Sequence, residues 1–496
     1  MLRLALMVIL AASAFAELGF KRVMDTPYPK NSGTSSGDMA IGDINGDGKK
    51  DVIVIGNMKA KPVILVYMQK ADGSFALAED TKLPGVDVGC IRLADMDRDG
   101  DLDVVLYGKT APAAESAIFH VYKNDGGVFS LLADLGKDLP SEDFEDVPGA
   151  WGKSGGANDN RSDEGVHGLY NANGWSKGVL ELADLDGDGD IDIVFAGTKG
   201  LESGTDPAGQ MIQRDWETSG VFLNNGGTFS YLTGAGFPLA GIPSDPETMP
   251  ARSYPGMAKV SRGAAAIGDF NRDGKPDLAL IGQANMGPKA NAGIPETQRN
   301  GKPIAEVYLG KGDGTFTLVT GHGLTGLIDG TMTVVDVNKD GKPDIAVIGS
   351  TGHPKDANGG RFTRIYLGTG DGTFTEDAQV YQTPKGDAAS VAPVMTGDIA
   401  FGDLDNDGDL DMVIGGNASD RALFIYINDG GKFSIVDLSK MKQGIGSSDA
   451  KMMSESDASA ECDIAIVDID GDGDNDIIVN GRGGSNQLLV FANKLK

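Results

Sequence analysis

Two cysteines in 496 residues, Cys90 and Cys462, are too few for a disulfide-stapled scaffold. Histidine is almost as scarce, at His120, His167, His322 and His353, and no nucleophile–base pattern emerges around any of them. Basic residues are short as well: 43 Lys and Arg face 72 Asp and Glu, for a net charge of −29. Such a surface repels nucleic acid and anionic lipid, so neither is an expected partner. Beyond the first residues no apolar run approaches the roughly 20 residues that span a bilayer. The final VFANKLK carries neither a lipid-anchor tail nor an ER-retention signal.

Glycine, in contrast, is abundant at 73 residues, while hydrophobics still make up 40%. That combination points to a packed chain with many tight turns rather than a disordered one. At the N-terminus Arg3, the apolar run Leu4 to Ala12 and the small-x-small triplet Ala14-Phe15-Ala16 read as a secretory signal over residues 1–16. A secreted domain over residues 17–496 is the expectation.

One nine-residue pattern, Asp-x-Asp/Asn-x-Asp-Gly-x-x-Asp, occurs seven times without a mismatch: DINGDGKKD from Asp43, DMDRDGDLD from Asp95, DLDGDGDID from Asp184, DFNRDGKPD from Asp269, DVNKDGKPD from Asp336, DLDNDGDLD from Asp403 and DIDGDGDND from Asp468. Short runs of small and apolar residues precede each copy (MAIG, AAIG, IAFG) and β-branched runs follow it (VIVIG, IVFAG, MVIGG). Further on come strands ending in Asn-Gly, Asp-Gly or Gly-Gly hairpin signals. Each unit thus supplies four short strands, with the acidic loop between strands 1 and 2 and the glycine-rich hairpin between strands 3 and 4. Radial repetition of such units makes an all-β, seven-bladed β-propeller of four-stranded blades. The seventh unit lacks a fourth strand, and Leu18 to Val23 (LGFKRV) resembles one. The N-terminal strand is therefore expected to complete the last blade and close the ring, removing two free sheet edges. Cys90 and Cys462, in units two and seven, are expected as two separate buried thiols.

The loops read as metal sites. Side-chain oxygens at positions 1, 3, 5 and 9, with a main-chain carbonyl at position 7, suit a hard cation taking six to eight oxygens. The residues concerned are Asp43, Asn45, Asp47, Lys49 and Asp51; Asp95, Asp97, Asp99, Asp101 and Asp103; Asp184, Asp186, Asp188, Asp190 and Asp192; Asp269, Asn271, Asp273, Lys275 and Asp277; Asp336, Asn338, Asp340, Lys342 and Asp344; Asp403, Asp405, Asp407, Asp409 and Asp411; and Asp468, Asp470, Asp472, Asp474 and Asp476. Glycine at position 6 allows the sharp turn. The absence of His and Cys disfavours zinc and copper, and the numerous flexible ligands favour calcium over magnesium, up to seven ions. An EF-hand needs a Glu at position 12; here that position is Val54, Leu106, Phe195, Leu280, Val347, Ile414 and Val479.

This pattern, followed by an apolar strand, resembles the FG-GAP/VCBS repeats of the integrin α-subunit propeller over essentially the whole mature chain. The resemblance implies calcium bound through those loop positions on the lower face of the ring. All seven copies keep the positions, whereas in integrin-like propellers only some blades usually do.

Spacing between loops varies through insertions near 133–178, 198–219, 232–262 and 283–303, which the strand order puts on the face opposite the acidic loops. All three tryptophans lie there, Trp151, Trp175 and Trp216, with His167, Tyr170, Arg214, Arg252 and Tyr254. Trp151, Tyr170, Trp175, Arg214, Trp216 and Tyr254 are candidate ligand-binding residues, since exposed aromatics and Arg on loops are typical of recognition surfaces. Asn160 and Asn417 head Asn-x-Ser sequons on the same face. The expected function is adhesion or recognition of an extracellular protein or glycan. A polysaccharide lyase-like enzyme and a structural piece of an extracellular assembly are the alternatives.

Overall fold

A computed structural model describes residues 21–22, 34, 37–111, 116–139, 178–205, 211–232, 256–284, 302–353, 360–377, 381–382, 388–389, 391–418, 421–436, 462–482 and 486–493. Runs such as Val52-Ile53-Val54-Ile55 explain the architecture. Alternate side chains of a strand face opposite ways, so an unbroken β-branched run must be buried on both sides. Val52 and Val54 pack with Ile469, Ile478 and Val490 on one side, and Ile53 and Ile55 pack with Ile91, Val104 and Leu106 on the other. Each sheet is thereby a wall between two cores.

Seven four-stranded antiparallel blades follow from this, arranged in a ring. Blade 1 comprises Met39–Gly42, Asp51–Met58, Lys61–Gln69 and Phe75–Leu77. Blade 2 comprises Asp87–Ala94, Asp103–Lys109, Ala117–Asp125 and Val128–Asp134. Blade 3 has Val179–Ala183, Asp192–Thr205, Met211–Asn225 and Thr228–Tyr231, and blade 4 has Ser261–Gly268, Asp277–Ala284, Lys302–Gly310 and Phe316–Val319. Blade 5 is Ile328–Val335, Asp344–Ser350, Arg361–Gly368 and Phe374–Glu376. Blade 6 is Met395–Gly402, Asp411–Asn417, Arg421–Asn428 and Phe433–Ile435. In blade 7, Cys462–Val467, Asp476–Arg482 and Asn486–Ala492 are joined by Lys21–Arg22, which pairs antiparallel as Lys21↔Ala492 and Arg22↔Phe491. Among the described residues there is no α-helix, and none long and apolar enough to cross a membrane.

Two features depart from the expected plan. Residues 198–219 are not a loop over their length: strands 2 and 3 of blade 3 extend into a long hairpin, paired as far as Thr205↔Met211. Blade 6 gains two further strands at its outer edge, Tyr381–Gln382 and Ala388–Ala389, with Gln382 paired in parallel to Ser434. Cys90 is buried, Cys462 is only half-buried, and neither forms a disulfide.

In several blades strand 1 carries a glycine where it meets the backbone of strand 2 closely. A Cβ on Gly330 would stand 1.8 Å from the Ile348 carbonyl oxygen, and one on Gly89 would stand 1.9 Å from that of Tyr107. Charged groups also bridge blades here. Arg92 of blade 2 donates to Asp38 of blade 1 at 2.6 Å, and Arg262 of blade 4 pairs through two nitrogens with Asp329 of blade 5.

Position 2 of each acidic loop fastens the ring. Its side chain is buried in all seven copies: Ile44, Met96, Leu185, Phe270, Val337, Leu404 and Ile469. Its carbonyl accepts a hydrogen bond from the following blade. Asn124, Asn224, Asn428 and Asn493 donate side-chain amides to Ile44, Met96, Val337 and Leu404 at 2.7, 2.8, 3.1 and 2.7 Å. In blades 4 and 5 the backbone N–H groups of Gly314 and Gly372 do the same to Leu185 and Phe270, at 3.0 and 3.1 Å. Gln69 Nε2 of blade 1 reaches the Ile469 carbonyl of blade 7 at 2.5 Å.

Candidate metal centre

Each acidic loop leaves strand 1, turns through two left-handed residues and returns into strand 2. The second is the position-6 glycine, for example Gly48 at φ 83° and Gly341 at φ 77°. The first is position 4, where Arg98, Arg272, Lys339 and Asn406 take φ between 56° and 64° alongside Gly46, Gly187 and Gly471. Those turns fold the chain around the position-1 carboxylate, whose Oδ2 accepts the position-6 N–H at 2.8–3.0 Å in every loop.

Position 9 is fully buried in all seven copies: Asp51, Asp103, Asp192, Asp277, Asp344, Asp411 and Asp476 are each 0% exposed. One oxygen accepts the position-2 N–H at 2.7–3.0 Å. The other accepts a backbone N–H at the end of strand 3, at 2.6–2.8 Å. This aspartate therefore staples the loop to its own sheet in addition to whatever it offers an ion. Burial raises its pKa throughout: Asp103, Asp277, Asp344 and Asp476 are pushed up to about 6, Asp192 and Asp411 to about 7.

The remaining carboxylates converge. One oxygen from each of Asp95, Asp97 and Asp99 lies within 4.8 Å of the others, and the same holds for Asp184, Asp186 and Asp192, for Asp403, Asp405 and Asp411, and for Asp468, Asp470 and Asp476. Asn45, Asn271 and Asn338 stand at position 3 of the other three loops, each accepting the position-5 N–H at 3.0 Å. Asp405 is pushed up to about 6 by burial and then by the charges of Asp407 and Asp403. Lysines act the other way. Lys49, Lys123 and Lys342 hold Asp47, Asp99 and Asp340 below the usual carboxylate range. Asp97 Oδ1 and Asp403 Oδ1 are buried and accept no hydrogen bond. An oxygen-only, carboxylate-rich cage with orphaned oxygens fits a hard divalent cation.

Position-7 side chains do other work. Asp101, Asp190 and Asp409 accept the N–H of Gly126, Gly226 and Gly430 at 3.0, 3.0 and 2.5 Å, capping the 3–4 hairpin of their own blade. In these blades the hairpin is a two-glycine turn with both residues at positive φ.

Of the candidate ligand-binding residues, Trp151, Tyr170, Trp175 and Tyr254 lie outside the described residues, as do His167, Arg252 and Asn160. Arg214 and Trp216 lie on strand 3 of blade 3, opposite Glu202 and Gly200; only their backbone is described. The position-2 residue, carrying a core side chain, a bond to the staple and a bond to the next blade, is the element that motif reading passes over. Its signal is plain in retrospect: that position is apolar in all seven loops.

Fold and loops together define a seven-bladed propeller with an aspartate-rich turn in every blade. The family model for FG-GAP-like repeats matches residues 43–106, 269–347, 336–414 and 403–479. These spans cover more than half of the chain, which belongs to the FG-GAP-like repeat family. A comparison with curated proteins finds no match. Among solved structures, an Agrocybe aegerita lectin that recognises non-reducing terminal N-acetylglucosamine is similar at 20% identity, over 81% of this chain and 79% of that one, with a TM-score of 0.44. A Bacillus licheniformis rhamnogalacturonan lyase is similar at 12% identity, over 96% and 75%, with a TM-score of 0.40. At these values neither bears on what the present chain binds.

Proposed function

We propose that this chain is a secreted propeller that holds calcium, up to seven ions, in its acidic loops and presents the opposite face to an extracellular protein or glycan. The observation that carries the metal reading is the convergence of carboxylate oxygens within single loops, two of them buried and unpartnered at Asp97 and Asp403. Positions 1, 3 and 5 would supply the ion's side-chain oxygens, together with the buried position 9. The ion supplies the positive charge that lets several carboxylates share one turn.

The recognition reading rests on how the two faces differ. The acidic loops are short, of one length, and hold positions 1 and 9 by the same hydrogen bonds in each blade. The 2–3 and 4–1 connections leave from the other ends of the strands, and the long insertions fall among them. Trp151, Tyr170, Trp175, Arg214, Trp216 and Tyr254 all belong to these connections or to the hairpin that extends from them, which supports reading this face as the one that meets a ligand.

Thermal unfolding in calcium and in chelator tests the first part. A ligand in hundredfold excess over its dissociation constant stabilises by about 2.7 kcal/mol per site, so the midpoint should rise clearly with calcium. Identical midpoints in the two buffers would falsify the metal reading. For the second part, a glycan array and a panel of extracellular matrix proteins are probed with the calcium-loaded chain. Binding that survives alanine at Trp151, Trp175 and Trp216 together would place the ligand elsewhere.

A further inference from the structure

The seven loops differ in a correlated way. Loops 1, 4 and 5 combine asparagine at position 3 with lysine at position 7: Asn45 with Lys49, Asn271 with Lys275 and Asn338 with Lys342. The other four have aspartate at both positions, and the two features never occur apart. Over nine residues, loops 3, 6 and 7 carry a formal charge of −5, loop 2 carries −4, and loops 1, 4 and 5 carry −1.

Geometry gives the lysines a target. Lys49 Nζ lies 3.1 Å from Asp47 Oδ2, Lys342 Nζ 3.0 Å from Asp340 Oδ2 and Lys275 Nζ 3.9 Å from Asp273 Oδ2. In each case the ammonium lies on the position-5 carboxylate, inside the set that would hold the ion. Loop 2 receives its ammonium from elsewhere. Lys123, on strand 3 of the same blade, lies 2.6 Å from Asp99 Oδ2 and also bonds Asp97. The corresponding residue of the other blades is Met68, Leu223, Leu309, Leu367, Ile427 or Ala492. In loops 3 and 6 the nearest basic partner sits on the position-7 carboxylate, Arg98 on Asp190 and Lys339 on Asp409, although Arg98 also reaches Asp188 Oδ1 at 4.0 Å.

We propose that Lys49, Lys275 and Lys342 are built-in counter-cations that divide the loops into two affinity classes. Loops 3, 6 and 7 bind calcium tightly, loops 1, 4 and 5 bind it weakly, and Lys123 shifts loop 2 toward the weak class. The inference rests on reading the loops as calcium sites. Affinity in oxygen-ligand loops follows the charge of the ligand set, and an incoming ion must displace the ammonium from a carboxylate it needs. When calcium is scarce, those loops keep their charges compensated without it, so the scaffold is graded by calcium rather than switched.

The test is a calorimetric titration of the chelator-stripped full chain with calcium chloride, alongside equilibrium dialysis. Two phases are expected in the parent. In the triple variant K49Q/K275Q/K342Q the weak-phase dissociation constant should fall by about fivefold per site, with the tight phase unmoved. Lys123→Met should transfer one site to the tight phase. Seven equivalent sites in the parent, or a triple variant whose phases do not move, overturns the two-class inference alone. A chain that retains no calcium in dialysis overturns the calcium reading beneath it, a result the two measurements tell apart from seven equal sites.

Discussion

Asp411 separates two roles that the acidic loop combines. Its side chain is fully buried. One oxygen accepts the Leu404 N–H at 2.7 Å and the other the Asn428 N–H at 2.8 Å. Asp411→Ala leaves both donors buried without an acceptor, at about 1–3 kcal/mol each. Against this stands the relief of a buried charge whose pKa is already pushed up to about 7 by burial. The net expectation is a loss of about 2–4 kcal/mol. Asp411→Asn keeps one acceptor and turns an NH₂ toward the second donor, so about half of that loss is expected. Chemical unfolding of both variants, in calcium and in chelator, reads the outcome. A staple costs stability in both buffers, whereas a residue that matters only as a ligand costs it in calcium alone. An alanine variant that unfolds in chelator at the parent's denaturant concentration refutes the staple.

Four further substitutions probe the loops and the frame around them. Gln69→Leu removes the donor to the Ile469 carbonyl and should lower stability by about 1–2 kcal/mol; an unchanged unfolding midpoint would show that this bond contributes nothing. Gly330→Ala should cost about 3 kcal/mol or more, because the new Cβ meets the Ile348 carbonyl at 1.8 Å and only backbone movement relieves it. Gly46→Ala, with nothing within 4 Å but φ at 71°, should cost only roughly 1–2 kcal/mol; equal losses for the two would contradict the crowding argument. Arg262→Ala strands Asp329, which is 4% exposed between blades 4 and 5, at about 3–5 kcal/mol. Removing both side chains should recover part of this, and a double-mutant cycle without coupling would count against the pair.

Much of the ring is legible along the chain because its cause is local. Val52 to Ile55 need two cores, Gly126 and Gly127 need a left-handed turn, and the spacing of Asp95, Asp97 and Asp99 brings three carboxylates to one turn. What escapes local reading depends on a partner far away. Asp103 looks like one more ligand until the Asn124 backbone is found against it. Asn124 looks like a turn residue until its amide is seen on Ile44 of the preceding blade. Residues 198–219 are polar and glycine-rich and read as a loop, yet continuing the pairing of two adjacent strands extends them as a hairpin. Arg98 at a left-handed position carries no signal of its own; the turn around Asp95 imposes it.

The bond from Gln69 to Ile469 spans 400 residues, while every other blade fastens to a neighbour that is close in sequence. Six of the seven seams can therefore form as the chain grows, each blade docking on the one before. The last cannot exist until the strands of blade 7 are made. Until then Val52, Val54 and Tyr67, which end in the core shared with blade 7, lie open to water. An order in which blades dock one after another would end in one non-local closure, the kind of contact that slows a fold and leaves its intermediates prone to associate. At this seam the Gln69 bond, the Asn480 side-chain amide donating to Thr34 Oγ1 at 3.1 Å and the pairing of Lys21–Arg22 with the last strand all join one end of the chain to the other.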